Sequence, residues 1–305
     1  MCFLGLVAII ACGQGPWDVS NSTDRAAMKV QIKQSLTTND CATAILLSTQ
    51  IYNSTYVDNE SRMLYASAQA CNMGLQLFPL LDEISSSNFS TQDAIIRTFV
   101  RSFPSSSADS RTVSAGLAQD AVQSILNNGV VTAPVDQILF NSFNTGSVVF
   151  SDRTLDANSY LIFVSMGELG TVFNRYGYVA GDTAVAHSYG KGINLTWTTE
   201  ALVTADTTGS ACQVSSGFLN LFDGINAVIS YLGGSTSTQL QKVLTLLQTA
   251  VTTGGVAYCQ SVGHTATSCD AALRRLRYRG ACAELTAAAA VTAGIVQGVN
   301  AAWLP

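Results

Sequence analysis

The chain is predicted to be all-α, a multi-helix protein stapled by disulfides. Three observations carry that prediction. Long stretches of helix-compatible residues are punctuated by glycines and Ser/Thr clusters, such as "NNGVVTAPV" and "YLGGSTST". Strand signals are brief, confined to "GSVVF" at 146–150 and "INLTW" at 193–197. Six cysteines also fall where helix ends would meet.

Taken in order, helices are expected over 24–36, 39–52, 58–73, 75–85, 91–102, 109–127, 155–175, 212–232, 237–252 and 284–302. The pair 39–52 and 58–73 is the best defined. Asp40 and Asp58 stand where an N-cap side chain accepts from the first free backbone N–H groups. The turn "NSTYV" joins the two helices into a tetratricopeptide-like hairpin, although no 34-residue repeat follows.

Cysteine positions fit this scheme. Apart from Cys2 and Cys12, near the start, there are Cys41, Cys71, Cys212, Cys259, Cys269 and Cys282. Six cysteines allow 15 connectivities. Cys41 and Cys71 lie about equally far from the hairpin turn and face each other at its open end. "QSVGHTATS" reads as a turn between Cys259 and Cys269. "DAALRRLRYRGA" reads as one helix between Cys269 and Cys282, which would hold their ends roughly 20 Å apart, too far for a bridge. The expected set is therefore 41–71, 259–269 and 212–282. No CxxC spacing occurs, so no metal site is expected.

Charge is scarce. Charged residues make up 11% of the 305, against about 25% in ordinary soluble domains. Mean hydropathy is +0.27. A net charge of −5 argues against nucleic acid, whose phosphates call for clustered Lys and Arg. From Tyr178 to Ser268 the only charged residues are Asp182, Lys191, Glu200, Asp206, Asp223 and Lys242; from Ala281 to Pro305 there is only Glu284. A surface helix ordinarily carries a charged face. Helices this neutral are expected to face lipid or neighbouring subunits, the alternative being a bundle solvated by Ser and Thr. In the last helix, Leu285, Ile295, Val296, Val299 and Trp303 supply the larger apolar surface for such a contact. Beside it "RRLRYRG" places Arg274, Arg275, Arg277 and Arg279 together, residues suited to lipid phosphates through paired donors; a solvated or salt-bridged helix is the alternative.

Nothing nominates an enzyme. The two histidines are His187 and His264. Asp182, His187 and Ser188 are close in sequence but lack a tight nucleophile turn. No GxSxG, P-loop or GxGxxG occurs, and "GKGIN" lacks the Walker spacing. No catalytic residue, cofactor or metal is expected.

The first residues, "MCFLGLVAIIAC", read as the apolar part of a secretory signal, too short to span a bilayer. Ile9-Ile10-Ala11-Cys12 resembles the bacterial lipobox, which implies removal of residues 1–11 and lipidation of Cys12. A short eukaryotic signal is the alternative. Gly13, where an aspartate would resemble an inner-membrane retention signal, points to the outer membrane. Residues 12–23 then form the lipidated start and linker, 24–150 an N-terminal helical region, and 151–305 a charge-poor C-terminal region that can be continuous with it.

"NDCATAILLSTQIYNSTYVDNESRMLYASAQAC", the neutral helices beyond residue 155 and the lipobox together resemble the PopA-like superfamily of helical lipid-trapping outer-membrane proteins. That resemblance implies a non-enzymatic, porin-like outer-membrane lipoprotein. It would assemble as a homo-oligomeric, bowl-like ring, facing the periplasm and enclosing membrane lipid. A lipid-anchored periplasmic adaptor that binds a protein partner is the rival expectation.

Overall fold

The computed structural model describes residues 17–76, 99, 102–103, 110–126, 152–176, 196–229, 241, 244–245 and 247–303. Cys12 with the signal expected before it, the helix expected at 91–102 apart from 99 and 102, the strand expected at 146–150, and His187 with its neighbours lie outside these residues. So do most of 75–85, the first part of 237–252 and most of "INLTW". The described regular structure is helical, with no strand among the described residues.

The first three helices form a unit: α1 (Ser22–Thr37), α2 (Cys41–Tyr52) and α3 (Asn59–Met73). Each starts on a side-chain cap. Asn21 accepts from Thr23 N, Asp40 from Thr43 N and Asp58 from Ser61 N. Helix α3 ends at Gly74, whose φ of 93° is cheap only for glycine. The Cys41–Cys71 disulfide, with Cα atoms 5.5 Å apart, ties the start of α2 to the end of α3 and makes the pair antiparallel. Met28, Ile32, Ala44, Leu47, Ile51, Leu64 and Ala68 form its own small core.

Helix α3 passes the chain on to α4 (Ser110–Leu126) and α5 (Asp152–Tyr176), and these three share a second core around Tyr65, Met73, Phe103, Val122 and Leu161. The largest core belongs to the C-terminal half. It joins α5 to α6 (Glu200–Thr204), α7 (Ser210–Val228), a π-helical turn at Ala250–Val256, α8 (Ala257–Ser261), α9 (Ala266–Arg275), α10 (Ala281–Glu284) and α11 (Thr286–Trp303). The short helices crowd around α11, and its small residues allow them to. A Cβ on Gly254 would stand 2.7 Å from the Gly294 carbonyl oxygen, so the π turn and α11 cross almost backbone to backbone.

All three expected disulfides form, with Cα separations of 5.5, 5.8 and 6.0 Å for 41–71, 212–282 and 259–269. Two expectations are corrected. The Arg-rich stretch is not one helix to Cys282: α9 stops at Arg275, and residues 276–280 turn, with Tyr278 N donating to Arg275 O and Ala281 N to Tyr278 O. Three of the neutral helices are also not turned outward. Within α7 every residue but Phe222 and Asn226 is buried, as are Val164–Asn174 of α5 and Ala287–Val296 of α11. The chain covers these stretches itself. No described helix is long and apolar enough to cross a membrane.

Candidate functional site

Three buried polar stripes converge inside this charge-poor half. On α4, Thr112, Gly116, Gln119, Asp120 and Gln123 recur at helical spacing on one face. On α7, Gln213, Ser216, Asn220 and Asp223 do the same. Helix α5 contributes Ser165 and Glu168. Against them the 276–280 turn lays Arg277 and Arg279.

The turn is held by side-chain amides. Arg277 O accepts from Gln123 Nε2 at 2.5 Å and from Asn220 Nδ2 at 2.9 Å, while Gln123 Nε2 also donates to Asn220 Oδ1 at 2.7 Å. Those bonds use the peptide groups that a continuing helix would have kept for itself. The Arg277 side chain, 1% exposed, then reaches Asp223 in a two-point contact, through Nε to Oδ2 and through Nη2 to Oδ1. Arg279 Nε donates to Asp120 Oδ2 at 2.9 Å. Space for Arg279 comes from Gly116: a Cβ there would lie 2.5 Å from Gln213 Nε2 and 2.9 Å from Arg279 Nη1. Gln213 Nε2 donates to Thr112 O at 3.1 Å.

Among the described residues, no arginine bonds to Glu168. It is fully buried, and Ser216 Oγ stands 3.3 Å from both carboxyl oxygens. Burial pushes its carboxyl well above the ordinary range, with Asp120 adding to the rise; Arg279, the Ser216 hydrogen bond and the nearby Gln119 amide oppose it. Burial also raises Asp120, against the pull of Arg279. Several buried atoms here have no hydrogen-bond partner: Thr112 Oγ1, Asp120 Oδ1, Gln123 Oε1 and Gln213 Oε1. The seam is polar, dense and incompletely satisfied.

The four arginines are therefore placed differently from the headgroup expectation. Arg277 and Arg279 point into the protein. Arg274 pairs with Asp270 and Arg275 with Glu284. Each guanidinium meets a carboxylate of this chain, so the stretch presents no cluster of free cations. The expected lipid or subunit contacts are corrected as well. Ile295, Val296 and Val299 are 0%, 0% and 1% exposed, inside the largest core, while Leu285 reaches the surface, at 37%. Trp303 ends α11. The neutrality of α7 and α11 was legible as burial, but the covering surface is the protein's own.

A second, smaller feature joins α6 to the disulfide-closed turn between Cys259 and Cys269. His264 Nε2 lies 3.1 Å from Glu200 Oε2, beside a shallow hollow lined by Glu200, Ala201, Thr204, Ala205 and Thr286. No group of three or more His, Cys, Asp or Glu suited to a metal ion occurs among the described residues.

The polar seam was missed in sequence, although its signal was present. Gln119 and Gln123, and Gln213, Ser216, Asn220 and Asp223, repeat at helical spacing within otherwise apolar helices, the pattern of polar side chains that must find each other indoors. A scan against protein-family models, a search of curated proteins and a search of solved structures each return no match to this chain.

Proposed function

We propose that this protein is an exported, non-enzymatic adaptor. A lipidated Cys12 tethers it to the outer membrane, and it binds a protein partner on the periplasmic side. The burial of Ile295, Val296 and Val299 carries the choice of adaptor over lipid-enclosing ring, because side chains closed inside their own core offer no face to lipid or to a second copy. The N-terminal unit is the best-placed binding surface. The most exposed large apolar side chains among the described residues, Val30 at 65%, Leu46 at 63% and Tyr56 at 48%, all belong to it. It also follows directly on the tethered segment, and its α2 and α3 run antiparallel under the Cys41–Cys71 disulfide. Three disulfides suit an oxidising compartment.

The test is the mass and phospholipid content of detergent-extracted protein, with a photo-crosslinking residue at Leu46 in cells. The adaptor predicts a single copy without stoichiometric phospholipid, acyl chains on the Cys12 peptide, and one discrete heterologous crosslink. A multi-copy assembly that retains phospholipid would overturn it in favour of the ring.

A further inference from the structure

The polar seam contains three carboxyl groups and two guanidinium groups. Arg277 is engaged in two-point contact with Asp223, and Arg279 is bonded to Asp120. That leaves one carboxyl, Glu168, without a cation of its own, at zero exposure. An ionised, unpaired carboxylate in such a place is far more costly than a neutral acid.

One neighbour, Ser216, also suits a hydrogen-bond donor, while the Gln119 amide favours the carboxylate. Ser216 Oγ is 3.3 Å from the Glu168 oxygens and 3.4 Å from Gln213 O. With a proton on Glu168, the acid donates to Ser216 Oγ and the serine hydroxyl donates onward to the Gln213 carbonyl. Without it, Ser216 must turn its single hydrogen to the carboxylate. Gly217 lets α7 approach this closely: a Cβ there would lie 3.4 Å from Glu168 Oε2 and 2.9 Å from Leu169 Cγ.

We propose that Glu168 is a protonated acid in the folded protein and that the seam is a pH-sensitive latch, in which loss of this proton draws Arg279 from Asp120 toward Glu168. The charged groups that face it set the response. Asp120 comes from α4 and Arg279 from the 276–280 turn; the Arg277–Asp223 pair is closed on itself. Arg279 is the cation free to respond, since its side chain is 26% exposed while that of Arg277 is 1% exposed. Asp120 Oδ1 already lacks a partner, so losing Arg279 would remove one of the ties of α4 to the turn and leave the bond from Gln123 to Arg277 O. The inference is independent of the tether and of any partner.

The direction of the pH dependence follows from linkage. An acid that keeps its proton when folded and releases it when unfolded lowers stability as pH rises above the ordinary carboxyl range, by tenfold in the folding equilibrium constant per pH unit until the folded acid itself ionises. The experiment compares wild type with Glu168→Gln, which keeps the shape and removes the proton equilibrium. Denaturation from pH 5 to 8 should show wild type falling relative to the variant by up to that slope. Infrared spectra of wild type at pH 7 should contain the C=O band of a buried neutral carboxylic acid that the variant lacks. Hydrogen exchange in α4 should rise with pH, after correction for the intrinsic exchange rate, in wild type alone. Parallel stability profiles, or a wild-type spectrum without the acid band, would overturn the protonated state. An acid band that titrates away with no change in α4 exchange would overturn the latch. The wild-type spectrum decides the first point even if the variant folds poorly.

Discussion

The N-terminal unit and the C-terminal core use charge in opposite ways. In α1–α3 the ions lie outside. Lys29 bonds to Asp58 and Glu60 at 2.7 and 2.9 Å, and Lys33 to Glu60 at 2.7 Å, with the side chains of Asp58, Glu60 and Lys33 half-exposed or more. In the C-terminal half the principal pairs lie inside: Arg277–Asp223 at 1% and 3% exposure, Arg279–Asp120 at 26% and 13%. Its surface keeps the pairs Arg274–Asp270 and Arg275–Glu284 and adds hydroxyls. Thr245 and Thr249 are exposed and bond back to the carbonyls of Gln241 and Thr245. Scarcity of charge in a helix thus reports what covers it less than it reports that something does.

The largest effect expected from this comparison comes from placing one substitution in each region. Val296→Arg puts a long cation into a fully buried site, adding overpacking to an unpaired buried charge. It should cost at least about 4 kcal/mol, a large share of the 5–15 kcal/mol of a typical domain. Val30→Arg, at a position 65% exposed, should change stability by less than about 0.5 kcal/mol. Denaturant unfolding of both variants checks this. A folded Val296→Arg protein of normal stability would break the contrast and return α11 to the surface.

Next in size is the inner ion pair. Arg277→Ala leaves Asp223 buried and alone, and should cost about 3–5 kcal/mol. Joint replacement, Arg277→Met with Asp223→Leu, should recover most of that loss, because neither charge is then stranded. The difference between the two variants in chemical denaturation measures how much of the cost is desolvation. Equal losses would mean that the turn, rather than the charge pair, is what the core requires.

The smallest effect belongs to the outer pairs. Partial burial raises the Asp58 carboxyl, but Lys29 and the hydrogen bonds of Ser61 outweigh it and hold the pKa at about 2, below the ordinary 3.8. A lowered folded pKa stabilises at pH above the unfolded value, and that contribution is lost as pH falls from about 4 toward 2. Asp58 is 56% exposed, so solvent screening reduces the gain to about 1 kcal/mol. Asp58→Asn keeps an N-capping side chain and removes the charge. Acid titration of stability should be shallower by that amount in the variant. An unchanged slope would remove the ion pair from the energetics of this unit.

What was legible in the sequence was local. Caps at Asp40 and Asp58, the α2–α3 hairpin and the spans of α4, α5, α7 and α11 to within a few residues follow from signals a few positions apart. The Cys41–Cys71 pairing followed too, because both cysteines sit at the open end of one hairpin. Reading Asp270 to Ala281 as a single helix gave the right pairing for the wrong reason, since the helix breaks at Arg275 and Cys282 is drawn to Cys212 all the same.

The sequence by itself determined a helical, disulfide-stapled protein whose C-terminal helices are too neutral to face water. Only the tertiary structure decided that these helices cover one another, and that Arg277 and Arg279 serve the interior. Periodicity and capping act within one helix, where neighbours in sequence are neighbours in space. The partners of Arg277 and Arg279 lie 54 and 159 residues away. An arginine near a chain end reads alike whether it meets a lipid phosphate or a buried aspartate, until packing brings that aspartate within reach.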